Sequence, residues 1–236
     1  MPKARGYHSK KEFAYETLRE SIMSGALKPG TRLIIDELSA ELGVSPIPVR
    51  EALQQLQYDG FVTIEPYIGA RVSEIHASLI QEIFALLEAL ETISSTVACQ
   101  KMSDADFAEM EGLLQRMDRD MADLEQWAED NVQLHQFLCE KASMSLVANI
   151  MQQVLDHWNR LRRHYLQDVI GKRVEAAQRD HWRLLEALRT RDPKVVAQVI
   201  RTHNQEALSS YLQYLASSGK LEPEEIIQMP GGNLHD

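Results

Sequence analysis

The chain of 236 residues lacks the features that mark secreted, membrane-spanning and disulfide-stapled proteins. Its two cysteines, Cys99 and Cys139, are too few and too isolated for a disulfide framework or a thiolate metal site. No apolar run reaches the roughly 18 residues that a membrane span needs. The basic N-terminal segment has no apolar stretch of the kind found in a secretory signal. These absences predict a cytoplasmic protein without a membrane partner.

The chain also has no excess of positive charge, because its formal net charge is −10. The acidic excess lies beyond residue 76: residues 1–76 have a net charge of −1, and the remainder has −9. The first eleven residues contain no acid and four bases, namely Lys3, Arg5, Lys10 and Lys11. The total charge argues against general nucleic-acid affinity, but the N-terminal part remains electrostatically compatible with DNA.

Residues 1–76 combine three short helical patterns with the only strand-like stretch of the sequence. The helices are predicted over about residues 12–24, 36–42 and 46–58, with Asp36 and Ser45 as N-caps and Gly43 closing the second helix. Two helices joined through a glycine-containing turn predict a helix-turn-helix. A strand, a tight turn and a second strand between residues 61 and 73 predict a β-hairpin wing. This part is therefore expected to be a winged helix-turn-helix domain.

The third predicted helix has one apolar side and one polar side. Its apolar residues Val49, Leu53 and Leu56 repeat at helical spacing and are expected to pack inward. The opposite face carries the donor-rich side chains Arg50, Gln54 and Gln57, which suit base edges and phosphates. The polar face is therefore the candidate DNA-reading surface.

The rest of the chain is helical to about residue 218. Caps and periodicity predict helices over about residues 79–101, 103–121, 124–142, 146–166, 172–190 and 193–216. Six or seven antiparallel helices would form an all-α bundle over residues 77–220, and residues 221–236 are expected to form a flexible tail. The fold class is mainly α.

Three of these helices carry residues with the chemistry of a metal site. Asn131 and His135 are four residues apart and share a helix face, while His181 and His203 lie on two later helices. Imidazoles with an oxygen donor bind zinc, nickel, manganese or iron. The alternative is that the three histidines are separate surface or core residues.

The N-terminal part resembles the DNA-binding domain of the GntR family of regulators. The matching elements, in order, are Pro29-Gly30, Leu38 with Ala40, Leu42-Gly43-Val44-Ser45, Pro48-Val49-Arg50-Glu51-Ala52-Leu53, Gly60 and Gly69-Ala70-Arg71-Val72. The resemblance implies that Ser45, Arg50 and the wing-tip Gly69 contact DNA, and we expect Gln54 and Arg71 to join them. Asp36, Pro46 and Ile68 depart from the family, which has arginine at these positions in some or many members.

Residues 79–218 resemble the FCD ligand-binding domain of the FadR-type GntR subgroup. The resemblance implies that Asn131, His135, His181 and His203 bind a divalent transition metal, with Asn131 weaker than the aspartate of many relatives. It also implies a small-molecule effector, such as an organic acid. Many relatives hold the acid with an arginine near Leu87, which leucine cannot replace. Arg160 or Arg163 is the candidate substitute.

Three functions remain open at this point. A ligand-responsive repressor or activator would bind a pseudo-palindromic operator as a homodimer, with a recognition helix in each of two successive major grooves. A metal-dependent enzyme would use the three histidines to activate water, but no convincing general base accompanies them. In the third alternative the histidines only pack the core, and the helical domain only dimerises.

Overall fold

The computed structural model describes residues 9–165 and 167–217, and the chain divides into two compact units between Ile75 and His76. The first unit contains α1 (Lys10–Met23), β1 (Arg32–Leu33), α2 (Ile35–Leu42), α3 (Pro46–Tyr58), β2 (Val62–Glu65) and β3 (Gly69–Val72). The second contains α4 (Ala77–Lys101), α5 (Asp104–Arg119), α6 (Leu124–Ala142), α7 (Ser145–Tyr165), α8 (Gln167–Arg189) and α9 (Pro193–Ser217). The mainly helical fold class is confirmed.

The core of the first unit lies between α1, α3 and the sheet. Leu18 and Ile22 of α1 and Leu53 and Leu56 of α3 are buried in one apolar cluster. Removing such side chains from water stabilises the unit by about 1.5–3 kcal/mol each. The aliphatic side of α3 is thereby fixed, and its opposite side is presented outward.

Three antiparallel strands form the sheet, in the order β1-β3-β2. Val62 of β2 lies opposite Val72 of β3, and Glu65 lies opposite Gly69 at the hairpin end. Strand β1 was not predicted. It is only two residues long, so it has no alternating pattern to detect, and it is held by pairing Arg32 with Arg71.

Two predicted caps differ from the structure. The prediction for Asp36 is wrong, because α2 begins at Ile35 and its N-cap position is Ile34, which has no capping side chain. Asp36 instead lies in the first turn, where a negative charge favours the positive end of the helix dipole. Ser45 does occupy the N-cap position of α3, but its side chain makes no capping hydrogen bond there. Gly43 ends α2 in the left-handed conformation, as expected.

The described part of the second unit contains six helices, α4 to α9. Helix α4 packs against α6, α7 and α9, and α8 packs against α5 and α9. The predicted start of α8 at about residue 172 is wrong, because α8 begins at Gln167 and continues through Gly171. Packing of its apolar face offsets the roughly 1 kcal/mol by which glycine disfavours a helix interior.

Several expectations concern residues outside the described ranges. These are the basic Lys3 and Arg5, and the predicted tail at 221–236. Within residues 9–165 and 167–217, every helix is either too short or too polar to cross a membrane.

Candidate functional site

Helix α3 presents a polar, open face. Pro46 occupies the first helical position, where its missing N–H removes no helical hydrogen bond. Arg50 and Gln54 are exposed, and within the described residues the Arg50 guanidinium has no ion pair or hydrogen bond. An unpaired guanidinium on a helix with a buried opposite side is free to form the bidentate contact that guanine offers in the major groove.

The wing ends in a tight turn between β2 and β3. Gly69 has a φ of 105°, which glycine adopts readily, and Tyr67 projects fully into solvent. Arg71 is exposed on β3, and its Nη1 donates to the carbonyl of Gly30 at 3.2 Å. The predicted DNA contacts Ser45, Arg50, Gln54, Gly69 and Arg71 are therefore all exposed.

The three predicted histidines lie beside one another in the second unit, although they come from three helices. His135 is on α6, His181 on α8 and His203 on α9. The ring centroid of His181 is 6.2 Å from that of His135 and 5.2 Å from that of His203. Asn131 is buried one helical turn before His135. The four residues are called the histidine cluster below.

Two carboxylates lie beside two of the rings. The Nδ1 atom of His135 is 3.2 Å from Glu91 Oε1, although the pair is not aligned as a hydrogen bond. The other Glu91 oxygen accepts from the Asn204 amide at 2.9 Å. His203 Nδ1 is 3.3 Å from Asp180 Oδ2. A carboxylate at Nδ1 fixes an imidazole so that its Nε2 points the other way, as in many metal-binding histidines.

His181 is the most isolated member of the histidine cluster. Its side chain is 2% exposed and stacks on Trp127 at a centroid distance of 5.8 Å. Neither ring nitrogen has a hydrogen-bond partner among the described residues. Burial, followed by the neighbouring His203 and His135, holds the pKa of His181 well below its ordinary value. The ring is therefore neutral, which is the form that binds a metal.

The donor atoms of the histidine cluster suit a transition metal, but its side chains are not arranged to hold one. Its imidazoles and an amide oxygen are ligands that zinc, nickel, manganese and iron accept. No group of three His, Cys, Asp or Glu side chains in the described ranges is arranged to hold an ion. The buried, unsatisfied nitrogens of His181 are the observation that favours a missing ligand.

A cavity adjoins the histidine cluster. It has about 510 Å³ of atom-free space, including solvent at its mouth, and Asn131, His135 and His203 line it. Leu87 also lines it, in agreement with the position that the family resemblance assigned to the effector. The arginine in its wall is Arg173, which sequence reasoning missed. No sequence signal marked it, because a lone arginine on a helix is usually solvated.

The predicted arginines of α7 have other roles. Arg160 is 1% exposed and Arg163 contacts Glu125, and neither lines the cavity. Arg162 is also buried, and both its Nη atoms donate to Glu125, at 2.8 and 3.0 Å. Helix α7 therefore turns Arg160 and Arg162 inward, away from the role of an effector-binding arginine.

Two family models cover most of the chain. Residues 10–72 match the bacterial regulatory proteins of the gntR family, and residues 82–206 match the FCD domain. The regulator McbR of Escherichia coli is 30% identical over 74% of this chain and 80% of its own length. An uncharacterized HTH-type transcriptional regulator of Streptomyces ambofaciens is 28% identical over 92% of this chain and 91% of its own.

Solved structures agree with the sequence matches. The structure of E. coli McbR/YncC superposes with a TM-score of 0.68 and 26% identity, covering 88% of this chain and all of that one. A putative GntR regulator from Rhodococcus sp. RHA1 shares the fold, with a TM-score of 0.69 and 22% identity over 86% of this chain and 98% of that one.

The family matches and the named relatives are all transcription regulators, so the enzyme alternative has no support. The polar face of α3, the wing and the cavity beside the histidine cluster agree with that assignment. The chain belongs to the GntR family, in the FadR-type subgroup with an FCD domain, and is a ligand-responsive, DNA-binding transcription regulator.

Proposed function

We propose that this regulator binds a pseudo-palindromic operator as a homodimer, and that a metal and a small acid in the second unit set its operator affinity. The observation that carries the ligand part of the proposal is His181, whose two buried ring nitrogens lack partners among the described residues. Buried polar groups in native proteins are nearly always satisfied, so such a ring favours a ligand over mere core packing.

On the DNA side, we assign base reading to Arg50 and Gln54 and backbone contacts to Ser45, Gly69 and Arg71. The support is their exposure on the open face of α3 and along the wing. Arginine pairs with guanine and glutamine with adenine through two hydrogen bonds each. In a dimer, two DNA-binding units about one helical turn of DNA apart match a two-fold symmetric site.

The homodimer is supported by apolar side chains that one copy leaves exposed. Leu86 and Ile93 lie seven residues apart on α4, and Leu146 and Ile150 lie four apart on α7. Helices α4 and α7 pack against each other, so both sets belong to one unit. A second copy would cover such side chains and remove them from water.

On the ligand side, Asn131, His135, His181 and His203 would hold a divalent transition metal such as zinc, nickel, manganese or iron. Once bound, the ion supplies a positive centre that attracts an oxygen ligand. Glu91 and Asp180 lie close to the Nδ1 atoms of His135 and His203, at 3.2 and 3.3 Å. Asn131 is neutral where an aspartate would add charge, which predicts weaker metal binding.

Selection of DNA from a random pool by the full-length protein tests the DNA side. The expected product is a two-fold symmetric site that Arg50→Ala no longer enriches while remaining folded. Enrichment of an asymmetric site, or undiminished enrichment by the variant, would contradict the assignment of α3.

Metal analysis of the purified protein, before and after chelator treatment, tests the ligand side. Alanine variants of His135, His181 and His203 are each expected to lose bound metal. His76→Ala is the matched control, because His76 is exposed and outside the histidine cluster. Wild-type metal content in all three cluster variants would defeat the metal assignment and leave core packing as the role of the rings.

A further inference from the structure

The first turn of α3 exposes a hydrocarbon side chain that the core does not use. Ile47 is 67% exposed, whereas the next two residues, Pro48 and Val49, are buried. The apolar cluster beneath the helix is built from Val49, Leu53 and Leu56 instead. A single exposed isoleucine is ordinary on a protein surface, so its meaning depends on the helix face that carries it.

Ile47 shares a face with the two side chains assigned to base reading. Arg50 and Gln54 follow it by three and seven residues, a spacing that puts side chains on one side of a helix, and both are exposed. At about 1.5 Å per residue, the three positions span about 10 Å of helix axis, roughly the height of three base pairs. The face therefore presents a hydrocarbon first, then a guanidinium, then an amide.

The same turn offers little to a phosphate. The free N–H groups at a helix N-terminus commonly bind anions. Pro46 and Pro48 have no N–H, so Ile47 supplies the one N–H of the first three positions of α3. The Pro46 ring is also exposed and adds to the hydrocarbon surface. The first turn therefore suits an apolar group better than the DNA backbone.

We propose that Ile47 packs against a thymine methyl in each half-site of the operator. That methyl is the apolar group that the major groove presents, and the N-terminal residues of a recognition helix are the ones that meet base edges. The thymine lies about one base pair from the base that Arg50 reads, since three residues of helix rise about 4.5 Å. The proposal rests on α3 being the DNA-reading helix and names one base that it reads.

Replacing thymine by uracil removes that methyl and nothing else. Each thymine of the selected operator is replaced in turn, in both half-sites together, and binding of the full-length protein is measured by fluorescence anisotropy. One replacement is expected to weaken wild-type binding about 5–10-fold, at the low end of single-base discrimination. Ile47→Ala is expected to bind both DNAs alike, and Ile47→Val to retain the discrimination.

Tyr58→Ala is the matched control, because Tyr58 is 81% exposed at the other end of the same helix. It is expected to discriminate uracil from thymine as the wild type does. Equal wild-type binding to every uracil-substituted operator, or discrimination that persists in Ile47→Ala, would show that Ile47 does not read the methyl. Either result leaves α3 as the reading helix if Arg50→Ala still abolishes enrichment, whereas undiminished enrichment by Arg50→Ala overturns the proposed function itself.

A separate observation concerns the tip of the wing. The Ile68 amide donates to the Glu65 carbonyl at 3.2 Å, which closes a four-residue turn with Pro66 and Tyr67 at its centre. Tyr67 has a φ of 65°. Proline second and a positive φ third are the pattern of a type II turn, whose third position favours glycine or asparagine. A tyrosine there costs stability, and such strain is typical of positions that function uses.

Packing within the unit does not offset this cost, because the Tyr67 side chain is fully exposed. It lies on the same hairpin as Gly69 and Arg71, which are also exposed. Tyrosine is among the side chains that bind phosphate oxygens in protein–DNA complexes, and such contacts carry no sequence information. We infer that Tyr67 binds the DNA backbone and that its hydroxyl donates to a phosphate oxygen.

Fold stability and DNA affinity are expected to respond differently to Tyr67→Gly. Its Tm should equal or exceed that of the wild type, because glycine suits the turn. Its affinity should fall about 3–10-fold, the loss typical of one hydrogen bond, for the operator and for unrelated DNA alike. Tyr67→Phe keeps the ring and should lose about as much affinity. Wild-type affinity in either variant, or a loss confined to the operator, would refute the backbone contact.

Discussion

Replacing His181 by leucine separates a ligand-binding role of the histidine cluster from a packing role. Leucine fills a similar volume but removes two buried nitrogens that lack partners. A buried unsatisfied polar group costs about 1–3 kcal/mol. The variant avoids that cost, but it also loses the ring stack on Trp127, which is worth about 0.5–1.5 kcal/mol. Metal-free His181→Leu is therefore expected to be as stable as the metal-free wild type, or more stable by up to about 2 kcal/mol.

With metal present, the wild type is expected to be more stable than His181→Leu. An ion present at a hundred times its dissociation constant stabilises the folded wild type by about 2.7 kcal/mol. At about 2–4 °C per kcal/mol for a chain of this size, the wild-type Tm should rise by about 5–11 °C. His181→Leu would lack one of the proposed ligands, so its Tm should hardly change.

The assay is thermal unfolding followed by circular dichroism, first with excess chelator and then with saturating zinc, nickel or manganese. Leu185→Ala is the control, since Leu185 is fully buried on the same helix as His181. It should lose about 2–5 kcal/mol in both conditions. If metal-free His181→Leu is destabilised as much as Leu185→Ala, and metal leaves the wild-type Tm unchanged, the ring is a core residue and the reasoning fails.

Three further perturbations test the domain architecture. Arg50→Ala should weaken operator binding about 5–150-fold by fluorescence anisotropy, corresponding to about 1–3 kcal/mol for one bidentate base contact, with a Tm unchanged because Arg50 is exposed; an unchanged Kd would remove it from the interface. Ser103→Ala should lower stability by about 1 kcal/mol in urea unfolding, because Ser103 and Asp106 form a capping box at α5; no loss would mean that the cap contributes nothing. The Arg162 hydrogen bond lowers the pKa of Glu125 from its ordinary 4.5, so the ion pair stabilises the fold above that pH and is lost as pH falls through the lowered pKa. Glu125→Gln should therefore flatten the acid limb of the Tm profile, and an identical acid limb in both proteins would contradict the pairing.

The sequence predicted the DNA-binding unit well because its signals are local. Gly43 at a left-handed helix end, Pro46 at a first helical position and the periodic Leu53 and Leu56 each specify structure within a few residues. Strand β1 was not predicted because two residues are too few to show an alternating pattern. The strand forms only by pairing with β3, which lies far along the chain.

The ligand-binding unit was predicted only in part, because its site is assembled by residues that lie far apart in the sequence. The family pattern indicated His135, His181 and His203, and the structure places them side by side. The groups around them are brought in by helix packing, such as Glu91 from α4 against His135 on α6. Arg173 was not recognised as a cavity residue because a lone arginine on a helix is usually solvated, whereas in the structure its side chain is 12% exposed and lines the cavity.

The most direct measurement is the affinity of the full-length protein for its selected operator, determined with metal-loaded and with metal-stripped protein. Coupling between the two sites predicts dissociation constants that differ by about 5–150-fold, and a His181→Leu protein whose operator affinity does not respond to metal. The same dissociation constant for loaded and stripped wild-type protein would contradict the idea that the histidine cluster controls DNA binding.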